Sequence, residues 1–221
     1  MFICAHLWFP VPARRDPVAS RWPPGIARAG SVLLFSLFIF LGACGKKEPD
    51  IIRRTQFLMG TLVEINVREP DLLKAQNAIT RAFKEIARLE KLMSTHIPNS
   101  EISRLNQNAG GEFLNLSPEV LVVIQRGIYW GELSGGALDI SLGPVVGLWN
   151  FDDETGEVPE KTRLQQALNL TGLKDIQIKE REARLDRPGM ALHLGAVGKG
   201  YAVNRAMEAL EESGIKNALI N

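Results

Sequence analysis

The sequence predicts a mixed fold, α+β or α/β. Stretches with the two-residue period of strands alternate with stretches of helical period, and the helices carry legible start and stop signals. Near the start, two β-rich runs flank Gly60; in the second, Val63, Ile65 and Val67 alternate with Glu64, Asn66 and Arg68. Pro70-Asp71 then opens a helix to about Met93, whose apolar positions Leu72, Ala75, Ile79, Phe83, Ile86, Leu89 and Met93 step by three or four. Ser117-Pro118-Glu119 starts another, with Ser as N-cap and Pro at the first helical position, running to about Leu133 before Gly135-Gly136. A short helix is predicted over 161–169, and short strands over 176–178, 183–185 and 191–194. A last helix from about Lys199 to Glu212 stops near Gly214, and Asn217–Asn221 reads as the beginning of a further strand.

Composition bounds the class. Of 221 residues, 45% are hydrophobic and 23% charged, with two cysteines and a net charge of +1, as in a globular chain without a disulfide framework. Nothing here is polybasic, which argues against a nucleic-acid partner. The charge is unevenly placed. Residues 1–43 carry Arg14, Arg15, Arg21 and Arg28 against the single acid Asp16, while the remainder holds 22 basic and 24 acidic residues. Basic residues, then the uncharged stretch 29–45 with an apolar centre too short for a bilayer span, then small residues, follow the order of a secretory signal. Leu41-Gly-Ala-Cys44 has the form of a bacterial lipobox. That form predicts cleavage of a signal over 1–43, lipidation of Cys44, a tether over 44–50, and an exported protein lipid-anchored to a bacterial membrane and facing the periplasm. An uncleaved membrane anchor is the competing reading. Arg14-Arg15 lacks the surrounding residues of a twin-arginine signal.

Four segments carry candidate chemistry. In Leu194-Gly-Ala-Val-Gly-Lys-Gly-Tyr201, glycines between a predicted strand and helix would let an anion approach backbone amides beside Lys199. A tight turn with a solvated lysine fits equally, and the spacing is not that of a Walker A loop. In Ser134-Gly-Gly-Ala-Leu-Asp-Ile-Ser-Leu-Gly-Pro144, Asp139 is either a turn or capping aspartate or a carboxylate at a cleft. Trp149 and Phe151, which follow, suit a core at least as well as ligand stacking. Thr55-Gln-Phe-Leu-Met-Gly-Thr61 reads by itself as a turn with a core methionine. In Leu92-Met-Ser-Thr-His96, followed by Ser100-Glu-Ile-Ser-Arg-Leu-Asn106, the histidine alone suits a surface position better than catalysis. There is no His-Glu-x-x-His, cysteine cluster or serine elbow, so zinc chemistry and hydrolytic triads are unsupported.

Taken in this order, Met59-Gly-Thr61, Ser94-Thr-His96 with Ile102 and Leu105-Asn106, Gly136-Ala-Leu-Asp139 with Gly143-Pro144 and Trp149, and His193-Leu-Gly-Ala-Val-Gly-Lys-Gly-Tyr-Ala-Val-Asn204 resemble the ApbE family of FAD:protein FMN transferases over residues 51–221. The resemblance implies an α+β fold of mixed sheets with packed helices. It also implies transfer of FMN from FAD to a Ser or Thr hydroxyl of an acceptor protein, such as a subunit of a membrane redox complex, with Mg2+ and release of AMP. On matching positions, Met59, His96, Ala137, Leu138, Asp139 and His193 would contact FAD. Lys199 would lie beside its phosphates, and the Ala196 carbonyl would offer Mg2+ one oxygen. No residue is assigned as the catalytic base. Two positions depart from the family pattern: His193 and Asn204 stand where aspartates are usual. The family continues beyond this point into segments that supply most Mg2+ ligands, so the chain is expected to be the N-terminal portion of such a protein and to be inactive in transfer. A flavin-binding or trafficking lipoprotein without transferase activity, or an inactive fragment, are the rival expectations.

Overall fold

The computed structural model describes residues 50–149 and 158–221. The predicted signal, Cys44, the tether as far as Pro49, and Phe151 lie outside the described residues. Among those that are described, no helix is long and apolar enough to cross a membrane.

The described part opens with a hairpin of β1 (Ile51–Leu58) and β2 (Thr61–Arg68), paired antiparallel from Ile51 opposite Arg68 to Leu58 opposite Thr61. The two residues between, Met59 and Gly60, both have positive φ (54° and 71°). That conformation matches the right-handed twist of the strands, and it is cheap for glycine but not for methionine. The alternation read from β2 holds: Val63, Ile65 and Val67 are buried. Helix α1 (Leu72–Met93) follows, with Asp71 as N-cap accepting the Lys74 amide at 3.0 Å.

Helix α2 (Glu101–Gln107), capped by Ser100, was not anticipated from the sequence. It is a seven-residue element, too short to show a helical period. Strand β3 (Leu114–Asn115) leads to α3 (Pro118–Leu133). Proline sits in the first turn as predicted, but the side chain of Ser117 does not cap α3. Both the amide and the hydroxyl of Ser117 donate to Glu101 Oε2, at 2.7 and 3.0 Å, which ties α3 to α2.

The remaining elements are α4 (Gly143–Val146), α5 (Lys161–Leu168), β4 (Ile176–Lys179), β5 (Glu182–Leu185), α6 (Gly195–Glu212) and β6 (Ala218–Ile220). Among the described residues two three-stranded antiparallel sheets result, in the orders β1-β2-β6 and β3-β5-β4. Helix α1 packs against β1 and β2 and, most extensively, against α6. Its buried residues, among them Ile79, Phe83, Ile86 and Leu89, join Ala202, Ala206 and Leu210 in one core. The fold is α+β.

Two expectations are corrected. Residues 191–194 do not form a strand; they make a single parallel bridge, Leu142 to Ala191. The apolar run there arises because Met190, Leu192 and Leu194 are buried, not because a ladder forms. Helix α6 also begins at Gly195, four residues earlier than predicted. Three glycines in its first two turns lower helix propensity, and packing on α1 outweighs them.

Candidate binding cleft

The hairpin turn, the C-terminal end of α1 with the segment after it, and the N-terminal turn of α6 enclose an open cleft of about 520 Å3, within the range of small-molecule sites. It gathers residues that lie far apart in sequence: Phe57 and Met59, then Glu90, Met93 and His96, then His193, Gly195, Gly198 and Lys199.

Each wall has a local cause. The Met59 amide donates to Glu90 Oε1 at 2.7 Å, so a carboxylate on α1 holds the hairpin turn against the helix. The floor is Gly198: a side chain added there would lie 3.8 Å from Met93 Sδ and 3.9 Å from Met59 Cε, so both thioether side chains reach this glycine. The turn bearing His96 is fastened from below by two buried serines. Ser100 Oγ donates to the Ser94 carbonyl at 2.6 Å, and Ser103 Oγ reaches the Ser94 and Thr95 carbonyls at 3.3 Å. His96 itself is exposed at the rim.

The segment bearing His193 is clamped by Asn106. The Leu192 amide donates to Asn106 Oδ1 at 2.7 Å, and Asn106 Nδ2 donates to the Leu192 carbonyl at 3.0 Å, so one side chain pairs with this backbone as a neighbouring strand would. The next amide, of His193, donates to the Ile140 carbonyl at 2.8 Å. The half-buried His193 imidazole sits over Gly195. Burial, and then the nearby His96 and Lys199, push its pKa below the usual histidine value.

Helix α6 has no side-chain N-cap, and its first turn, Gly195 to Gly198, faces the cleft. The positive end of an 18-residue helix, Lys199 and two imidazoles therefore surround a space that contains one carboxylate, Glu90. An anion with an apolar, stackable portion suits this arrangement.

Four of the residues singled out from the sequence, Met59, His96, His193 and Lys199, line this cleft together. Ala137, Leu138 and Asp139 are not among its lining residues. Asp139 Oδ1 accepts the amide and the hydroxyl of Ser141 at 2.7 and 2.6 Å, a turn of the aspartate's own segment. Its link to the cleft is through the backbone, by way of Ile140 and His193. Ala196 is exposed on the first turn of α6, where helical geometry directs its carbonyl along the axis toward the following turn. Glu90, Met93 and Phe57 were not singled out. Glu90 and Met93 read from the sequence as ordinary positions of an amphipathic helix, and only the folded hairpin shows what they meet.

Among the described residues, no group of three or more His, Cys, Asp or Glu side chains could hold a metal ion. Mg2+ requires near-octahedral oxygen coordination. Glu90 and the Ala196 carbonyl do not supply it, so the described residues alone do not fit the cation.

Comparison with known proteins identifies relatives of the chain and of its fold. The FAD:protein FMN transferase of Vibrio cholerae serotype O1 is 28% identical over 192 residues, covering 86% of this chain and 57% of that protein. The FAD:protein FMN transferase of Treponema pallidum is 24% identical over 198 residues, covering 86% and 55%. The chain thus spans about half the length of the curated relatives it matches. Among solved structures, the flavin transferase ApbE from Vibrio cholerae superposes with a TM-score of 0.71 at 27% identity, over 78% of this chain and 57% of that one. The apbe protein from Thermotoga maritima, at 22% identity and a TM-score of 0.71, shares the fold. The ApbE family model matches residues 59–221, and the chain belongs to the ApbE family.

Proposed function

We propose that this chain is the flavin-binding portion of an FAD:protein FMN transferase, with FAD held in the cleft between the hairpin turn and α6. The observation that carries the reading is the convergence of Met59, His96, His193 and Lys199, from three separate stretches of sequence, around the open N-terminal turn of α6. The FAD diphosphate lies against that turn and Lys199; Met59 and His96 offer soft and aromatic surface to a ring. In the reaction, a Ser or Thr hydroxyl of the acceptor gives up its proton to solvent and forms a new P–O bond to the phosphorus of the FMN half. The bond to the bridging oxygen breaks, and AMP leaves with that oxygen. The positive wall of the cleft stabilises charge developing on the diphosphate. Mg2+ bound to the whole protein would add further neutralisation; the described residues alone do not supply its ligands. The acceptor is an exported or membrane redox protein.

FAD binding to the purified chain, followed by quenching of flavin fluorescence between pH 5 and 8, tests the first half of this proposal. Lys199→Ala is expected to weaken binding about tenfold, because charged hydrogen bonds contribute ~1.5–3 kcal/mol and exposure reduces that. The sign of the pH effect follows from His193. In the free protein its proton affinity is depressed by burial and neighbouring positive charge, and a bound diphosphate offsets that repulsion. Binding therefore takes up a proton, and affinity rises as pH falls below the ordinary histidine value of 6.5. His193→Asn should flatten this rise. A wild-type chain that binds no flavin at any pH would overturn the reading.

Transfer is tested separately, by mixing the chain with FAD, Mg2+ and an acceptor domain and looking for covalent fluorescence on a denaturing gel. FAD binding without labelling of the acceptor is the outcome expected of the 221-residue chain, which spans about half the length of its relatives. That outcome is also what a flavin-binding protein without transferase activity would give. Labelling by a form extended to the length of its relatives separates the two.

The location proposed is the periplasmic face of a bacterial membrane, through a lipid on Cys44. Cys44→Ser should release the protein from the membrane fraction, and mass spectrometry of the wild type should show a lipid on a new N-terminal cysteine. An unprocessed leader would refute the anchor.

A further inference from the structure

Met59 is a non-glycine residue at φ 54°, a conformation that costs energy and persists only where the surroundings impose it. Hairpins of this kind favour Asn-Gly or Gly-Gly at the turn, so the local sequence does not explain the geometry. The ladder does not explain it either: pairing ends with Leu58 opposite Thr61, and the Met59 amide lies in the turn beyond it. What holds that amide is the Glu90 carboxylate, 2.7 Å away and 31 residues further along the chain. Glu90 stands one turn before the end of α1 and also lines the cleft. The Met59 side chain that follows this amide reaches Gly198 on α6 with its terminal methyl, beside Met93. The turn, α1 and α6 therefore converge at this one residue.

We propose that Glu90 is a positioning residue for the cleft. By accepting the Met59 amide it fixes the strained turn and seats the Met59 side chain against Gly198, completing the apolar wall on which the flavin lies. The last step rests on the flavin-binding reading above; the positioning of Met59 does not.

Two readouts separate these parts. The contact between the Met59 methyl and Gly198 is followed by NMR, using methyl-labelled methionine in the chain without ligand. FAD affinity is measured by fluorescence quenching on the same samples, and circular dichroism verifies that each variant is folded. Glu90→Gln keeps a side-chain oxygen at the same reach and should retain both the methyl contact and, within about threefold, the affinity, because a neutral acceptor still satisfies the amide. Glu90→Ala should lose the contact and weaken FAD binding roughly tenfold, as expected for a charged bond removed. Glu90→Asp retains the charge but withdraws the carboxylate by one methylene, and should show the same two losses. It serves as the decisive variant if the alanine protein does not fold. Persistence of the methyl contact in both Glu90→Ala and Glu90→Asp would overturn the proposal. Loss of the contact with unchanged FAD affinity in Glu90→Asp, which keeps the carboxylate charge beside the anion, would overturn the role of Met59 in the flavin wall. If the wild type binds no FAD, the flavin reading falls, and the methyl contact alone still decides whether Glu90 positions Met59.

Discussion

Asn106→Ala is expected to destabilise the protein by about 2–5 kcal/mol. Its side chain satisfies both the amide and the carbonyl of Leu192, a residue with no solvent exposure. Alanine would leave two buried backbone groups without partners, each costing ~1–3 kcal/mol. Urea unfolding should show this as a lower midpoint with little change in slope, since the surface exposed on unfolding is nearly the same. Asn106→Asp keeps the acceptor but turns a carboxylate oxygen toward the Leu192 carbonyl, so it should be at least as damaging as alanine at neutral pH and recover as pH falls and the carboxyl is protonated. Because Leu192 precedes His193, the substitution should also loosen the cleft and weaken FAD binding. A change in stability under about 1 kcal/mol would mean that water replaces the side chain at this backbone.

Gly143→Ala is expected to be comparably damaging, by about 2–4 kcal/mol, for a steric reason. A side-chain carbon at this position would lie 2.5 Å from the Ala191 carbonyl oxygen and 2.6 Å from its carbon, which are backbone atoms rather than the end of a flexible side chain. The two segments cannot simply separate, because the Gly143 amide donates to that same carbonyl at 3.1 Å. Relief therefore requires losing the bond, ~1 kcal/mol, in addition to the ~1–3 kcal/mol typical of overpacking. The displacement would pass through Ala191 and Leu192 to His193, so thermal unfolding and FAD titration should both register it.

These two positions show what the sequence could and could not convey. Both fall within the segments by which the chain resembles its family, yet neither Asn106 nor Gly143 is among the residues that line the cleft. They hold together the backbones that present its side chains. The helical period of α1 and the alternation of β2 were legible because each element buries one continuous face, and burial imposes a period on the residues. Residues 191–194 misled because the alternate positions Leu192 and Leu194 are buried there, as is Met190 just before, while the backbone is paired by a side chain and a single bridge. The start of α6 was obscured by Gly195, Gly198 and Gly200, which weaken a helical signal; Gly195 lies directly under the His193 ring, where a side chain would not fit. Asp139 was ambiguous as a lone carboxylate among small residues, and only its bonds to Ser141 show the turn it makes. Glu90 could not be distinguished on sequence grounds from the other charged residues of α1, because its partner is a backbone amide in a distant turn.

The packing of α1 on α6 also sets a schedule for synthesis. Helix α6 begins about 100 residues after α1 ends, and ribosomes deliver ~5–20 residues per second. The face of α1 bearing Ile79, Phe83 and Ile86 thus emerges some ~5–20 s before the helix that covers most of it. During that interval β2 also lacks its second neighbour, since β6 is made later still. The newborn chain presents an apolar helix face and an open strand edge together, the combination from which nascent proteins aggregate. Residues 61–93 are therefore the stretch whose apolar face and strand edge stay uncovered until α6 and β6 are present.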